Sequence, residues 1–164
     1  MTSQPTSFLN QFVGCQVSEI WAFEFKDEAD EATPLTFFIS FNQADSFLKM
    51  ELESDGEHIL VEVYPAEQFN DILSKNTGDE FYWKPNNWTE KEPFTKVVEK
   101  PIDKVELAVD KLNNGRQSLT SIRFHFGTDN LIFFNNGDES FFAVNSKIEP
   151  EFPETYEWFG TEKK

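Results

Sequence analysis

Phe47-Leu-Lys-Met-Glu-Leu-Glu53, the pair Asp55-Gly56, and His58-Ile-Leu-Val-Glu-Val-Tyr64 form the stretch that decides the fold class. Leu48, Met50 and Leu52 alternate with Lys49, Glu51 and Glu53, a period of two that puts apolar and charged side chains on opposite faces of a strand. Asp-Gly between two such runs is a tight-turn pair, because glycine accepts the positive φ that hairpin turns require. On the return strand Ile59, Val61 and Val63 face a core and Glu62 faces outward. The stretch reads as an antiparallel hairpin with one wet face.

The same grammar extends in both directions. Gln16 to Phe25 and Thr36 to Phe41 read as strands, with Val17, Trp21, Phe23 and Phe25 on one side of the first. Asp27-Glu-Ala-Asp-Glu31 between them is an acidic loop closed by Pro34. Further on, Ile102–Val109, Ser118–Phe126, Asn130–Asn135 and Glu139–Val144 read as strands, with Asn136-Gly137 as a second hairpin signal. Phe8, Leu9 and Phe12 share a face of a short N-terminal helix that Gly14 stops, and Ala66 to Leu73 reads as another short helix. Gly78 to Pro93 has no clean period and two prolines, so it reads as a long connection. The tail Glu149–Phe159 reads as a packed extended segment or a short final helix. The predicted class is α+β, mostly antiparallel β, in a single domain spanning 1–164.

Two β-meander portions, 15–64 and 102–145, resemble each other at an offset that drifts between about 81 and 86 residues, with Leu35-Thr36 matched by Leu119-Thr120. Internal duplication explains this, and so does the self-similarity of any meander. Both readings stand at this level.

Composition narrows the function. The 164 residues carry 14 Lys+Arg against 30 Asp+Glu, for a net charge of −16, together with 19 Phe. Aromatic residues in that number supply a core, which sets the chain apart from an acidic disordered one. The charge opposes nucleic acid and anionic membrane surfaces, both of which bind through Lys and Arg. It is unevenly placed: residues 19–67 hold 13 acids and two bases, 68–127 are balanced, and 128–162 hold eight acids and one base. Two acidic lobes on one face would present a negative field to a basic partner; the plainer reading is solubility. No run approaches a membrane span, and Met1 to Gln11 has neither a basic n-region nor a continuous apolar h-region. With Cys15 as the only cysteine, a reducing, cytoplasmic setting is expected.

The chemical inventory is thin. Cys15, His58 and His125 have no paired metal-ligand spacing, and the 27–31 loop lacks the alternating carboxylates and central glycine of a calcium loop. Neither a phosphate-binding glycine loop nor a nucleophile elbow is present. The sequence therefore predicts no catalytic residues, no metal and no cofactor. Asn87-Trp88-Thr89 matches a glycosylation sequon, which without a signal peptide reads as chance. Trp83 and Trp88 either cover an open end of the sheet or offer rings for stacking on a sugar. A β-rich carbohydrate-binding module is thus one alternative, and a carboxylate enzyme drawing on the many acids is another.

The run Ile122-Arg-Phe-His-Phe-Gly-Thr-Asp-Asn-Leu-Ile-Phe-Phe-Asn-Asn-Gly-Asp-Glu139 is similar to strand–hairpin–strand segments of small bacterial immunity-type domains. With size, charge and absence of a signal, the chain in this sense resembles the immunity proteins of contact-dependent growth inhibition. That resemblance implies a non-enzymatic cytoplasmic inhibitor, monomeric or weakly dimeric, that neutralises a basic toxin domain such as a nuclease. No contact residues carry over from it. The expected partner-binding residues come from charge and aromaticity alone. They are Asp27, Glu28, Asp30 and Glu31 in the loop, Glu51, Glu53, Asp55 and Glu57 on the hairpin, and Trp83 and Trp88 as anchors.

Overall fold

A computed structural model describes residues 8–26, 32–53, 56, 58–75, 83–111, 115, 117–135, 140–146 and 156–162. Among these residues ten strands form two antiparallel five-stranded sheets. In the first half, β1 (Val17–Lys26), β2 (Ala32–Phe41), β3 (Ser46–Leu52) and β4 (Ile59–Pro65) run as a meander. Helix α1 (Ala66–Lys75) follows, and β5 (Trp83–Asn87) returns to pair with β1. In the second half, β6 (Lys104–Lys111), β7 (Gln117–Phe126), β8 (Asp129–Asn135) and β9 (Ser140–Val144) form a second meander, and β10 (Tyr156–Glu162) returns to β6. The sheet orders are β4-β3-β2-β1-β5 and β10-β6-β7-β8-β9, which are the same topology. The α+β, mainly antiparallel class read from the alternation is the observed one.

Register repeats as well as topology. In the β1–β2 hairpin three pairs from Lys26↔Ala32 to Glu24↔Pro34 are followed by one extra residue, Leu35, before Phe23↔Thr36. In the β6–β7 hairpin three pairs from Lys111↔Gln117 to Val109↔Leu119 are followed by Thr120 before Ala108↔Ser121. Both bulges thus sit at one place, 85 residues apart. The returning strands match too: Trp21↔Asn87 corresponds to Glu106↔Gly160. The drift in the sequence offset has a simple cause. Residues 42–45 join β2 to β3 where only 127–128 join β7 to β8, and 53–58 are likewise two longer than 136–139.

The halves meet reciprocally, as across a local two-fold axis. Gly14 N–H donates to the Ile102 carbonyl at 2.7 Å, and Glu99 N–H donates to the Val17 carbonyl at 2.7 Å. Gln16 and Pro101, between them, form an isolated antiparallel bridge. Gly14 and Glu99 both have positive φ, 89° and 62°, so the contact demands this turn even where a side chain makes it costly.

Face-to-face packing of the sheets makes the main core. Phe37, Ile39, Leu48 and Met50 from one sheet meet Leu107, Ile122, Phe124, Leu131 and Phe133 from the other, all essentially without solvent contact. Phe37 lies 5.6 Å from Phe133 and 4.3 Å from Phe142, ring centre to ring centre. At about 1.5–3 kcal/mol for each large apolar side chain buried, this interface dominates the favourable side of folding. A second, smaller core lies on the outer face of the first sheet, where α1 lays Phe69 over Phe23, Phe38 and Phe47.

Two local expectations are corrected and two are refined. The 78–93 connection contains β5, which tolerates Pro85 because an outer strand needs hydrogen bonds on one side only. Of the tail, Tyr156–Glu162 forms β10, the extended one of the two alternatives, with its own ladder, and 149–155 lie outside the described residues. Of the N-terminal helix the described residues show Phe8 and Leu9 as helical, followed by a 3-10 turn at Asn10–Phe12. On β1 a register shift between Val17 and Glu19 breaks the alternation, so Val17 enters the main core while Trp21 and Phe23 face α1.

Candidate functional site

The hairpin that decides the fold also carries the clearest charge structure. Its outward face holds an ion-paired triad, with Lys49 Nζ 2.6 Å from Glu51 and 3.0 Å from Glu62. Thr36 Oγ1 donates to Glu51 at 3.1 Å from the neighbouring strand. Burial pulls the Lys49 pKa down, but its hydrogen bonds to Glu51 and Glu62 outweigh that and leave it raised above 10.5. Glu51 is therefore engaged within the sheet, which weakens it as a direct contact for a partner. Glu53 is exposed, and its N–H donates to the His58 carbonyl at 2.8 Å to close the hairpin.

Other acids extend this surface along β4, an outer strand of the first sheet. Glu53 stands at the hairpin end of β4, and Glu62 lies in its middle with its side chain 43% exposed. Ala66 N–H donates to the Asp45 carbonyl at 3.3 Å, so exposed Asp45 and Glu67 flank the other end, where α1 begins. Asp45 and Glu67 were not singled out by sequence. Only the fold brings them beside Glu53 and Glu62.

Of the remaining expected contacts, Asp27, Glu28, Asp30, Glu31, Asp55 and Glu57 lie outside the described residues. Trp83 opens β5, paired with Phe25, and its side chain is likewise outside the description. Trp88 is a correction. It is only 8% exposed, packs on Phe37 and Phe94 at 5.7 and 5.0 Å, and has Lys91 Nζ 3.9 Å from its ring centre. Its indole fills the core at the end of the sandwich, so it is not a free anchor. The carbohydrate alternative, which needs two open indole faces, loses one of them.

The outer face of the second sheet carries a different group. Glu106 on β6 accepts from Lys104 at 2.9 Å and His125 Nε2 at 2.7 Å, with Arg123 Nη1 at 3.5 Å. Register explains the cluster, because Glu106 pairs with Arg123 and Lys104 with His125 across β6 and β7. Burial raises the Glu106 pKa, yet the hydrogen bonds from Lys104 and His125 outweigh it and the net shift is downward. The alternation in Arg123-Phe-His-Phe126 was the available sequence signal; the partner strand was missing from it.

His58 Nδ1 lies 3.2 Å from Ser118 Oγ, and Asn135 Nδ2 donates to the Gly56 carbonyl at 2.8 Å. Ser118 is buried, and the His58 contact ties the first hairpin to the second sheet. Near the junction of the halves an open depression of about 380 Å³ is lined by Lys100, Pro101, Asp103, Phe126, Gly127 and Thr128. Beside it, hydrogen bonds from Lys100 and then Asn145 hold the Asp129 pKa below its usual value. Among the described residues no three His, Cys, Asp or Glu side chains gather as a metal site, and no helix is long and apolar enough to cross a membrane.

Comparison with protein-family models, curated proteins and solved structures gives no match for this chain.

Proposed function

We propose that the chain is a non-enzymatic binding protein that neutralises a basic protein partner, in the manner of the acidic immunity proteins it resembles. The observation that carries this reading is the row of exposed acids Asp45, Glu53, Glu62 and Glu67 along β4. Lys49, the one Lys or Arg of the β3–β4 hairpin, is already held by Glu51 and Glu62. Such a field speeds encounter with a basic surface and selects against acidic ones. The overall charge of −16 acts in the same direction at longer range. A toxin domain such as a basic nuclease has the required chemistry.

The test is co-purification of the chain with the product of the reading frame beside its own. The expected result is a stoichiometric complex whose association slows as salt is raised. Reversing Asp45, Glu53 and Glu67 to Lys should slow association roughly tenfold and flatten that salt dependence. Absence of a complex, or a complex indifferent to the reversals, counts against the reading.

A further inference from the structure

The two halves treat one equivalent position differently. Val63 on β4 pairs with Leu48, and Val144 on β9 pairs with Leu131, at the same place in the repeated meander. Val144 is 9% exposed, whereas Val63 is 40% exposed. In the second half β9 is flanked by the 3-10 turn Phe94–Lys96, and Phe94 stacks on Phe142 with ring centres 5.5 Å apart. At the position of Phe94 the first half has the shorter Leu9, and at that of Phe142 it has the smaller Val61, 85 and 81 residues earlier. The sandwich edge at β4 is therefore left open on its apolar side.

Backbone chemistry distinguishes β4 from the other outer strand of its sheet. β5 contains Pro85, which has no N–H to offer a further strand. β4 runs seven residues, Ile59–Pro65, with proline only at the last position. Edge strands of this kind are templates for pairing unless something blocks them. Along β4 the side chains alternate between Val61 and Val63 toward the core side and Glu62 and Tyr64 outward, with the acid row at both ends.

Resting on the basic-partner reading above, we propose that the partner docks by adding an extended segment to β4, a segment in which apolar and basic residues alternate. Its apolar residues would cover Val63 and its Lys or Arg residues would meet Glu62 and the flanking acids, so backbone pairing gives affinity and the alternation gives specificity. A second copy of this chain is disfavoured as occupant, since it brings the same acids and a charge of −16 to the contact.

The probe is a seven-residue peptide of alternating lysine and valine, titrated against the full chain. Two controls accompany it: a peptide of the same composition with the valines in one block, and one with glutamate replacing lysine. The alternating basic peptide should bind at least about tenfold more tightly than the block peptide, since only it can pair and cover Val63 together. Val63→Lys should remove that advantage, Val63→Ile should keep it, and Phe141→Lys on β9 should leave it unchanged. Equal binding of the two basic peptides, unaffected by Val63→Lys, overturns strand addition while leaving the basic-partner reading intact. No binding by either basic peptide, or binding of the glutamate peptide, overturns both. A stable dimer of the free chain that Val63→Lys dissociates would assign the edge to self-association and also overturn the proposal.

Discussion

The two halves of this chain share an inner face and differ on the outer one. Inner positions 85 or 83 residues apart are buried in both: Ile20 and Val105, Ala22 and Leu107, Phe37 and Ile122, Ile39 and Phe124, Leu48 and Leu131, Met50 and Phe133. Side-chain sizes trade places across these pairs, as close packing of one shared core requires. On the outer face Trp21, Phe23, Phe38 and Phe47 of the first half lie under or beside α1. Their counterparts are Glu106, Ala108, Arg123 and Asn130, and two of these belong to the ion-pair cluster. Sheet-on-sheet contact constrains only the inner residues. Each outer face was free to take its own set, aromatic residues under a helix in one half and an ion-pair cluster beside buried Ala108 and Ile132 in the other.

The largest expected effect would break the shared inner face. Phe37→Ala should cost about 3–5 kcal/mol and its counterpart Ile122→Ala about 2–5 kcal/mol, read by urea denaturation. Because one core serves both sheets, each variant should still unfold in a single transition seen by all probes. Two separate transitions would make the halves independent domains. A smaller effect is expected on the outer face of the first half. Phe69→Ala should cost about 2–3 kcal/mol, because α1 can lift away while the sandwich stays shut. Hydrogen exchange should then quicken most in Ala66–Lys75, with β7 and β8 unchanged. Exchange quickening equally throughout the second sheet would contradict the separation of the two cores.

The smallest effect belongs to the charge network. Glu106→Gln should cost about 1–2 kcal/mol near neutral pH, since it leaves Lys104, Arg123 and His125 without their carboxylate. The folded pKa of Glu106 lies below the ordinary glutamate value of 4.5, so its contribution is complete above that value and is lost as pH falls through the lowered one. The gap between wild type and variant should therefore close in acid. A gap that widens there would reverse the assigned sign.

Strands announced themselves wherever one face was apolar and the other charged, as in Leu48 to Glu53, because alternation and burial then point the same way. β5 was hidden because Trp83-Lys-Pro-Asn-Asn87 lacks alternation; a strand on the sheet's edge is fixed mainly by its neighbour β1. The register shift at Ser18 was hidden for a related reason, since both faces of β1 are covered and either phase looks apolar. At the candidate site, Glu53 and Glu62 were legible as outward residues of a hairpin. Asp45 and Glu67 were not, because they join the row only through the turn that sets Ala66 against Asp45. Trp88 illustrates the reverse error: an aromatic in a segment without period looked available, yet tertiary packing used it.

The central claim is that recognition belongs to the edge and acids of the first half and that the matching edge of the second half takes no part. Hydrogen exchange on the chain alone and in complex with its co-purified partner tests this most directly. New protection is predicted in Ile59–Pro65, with none in Ser140–Val144. Protection confined to the second half, or equal in both strands, would contradict it.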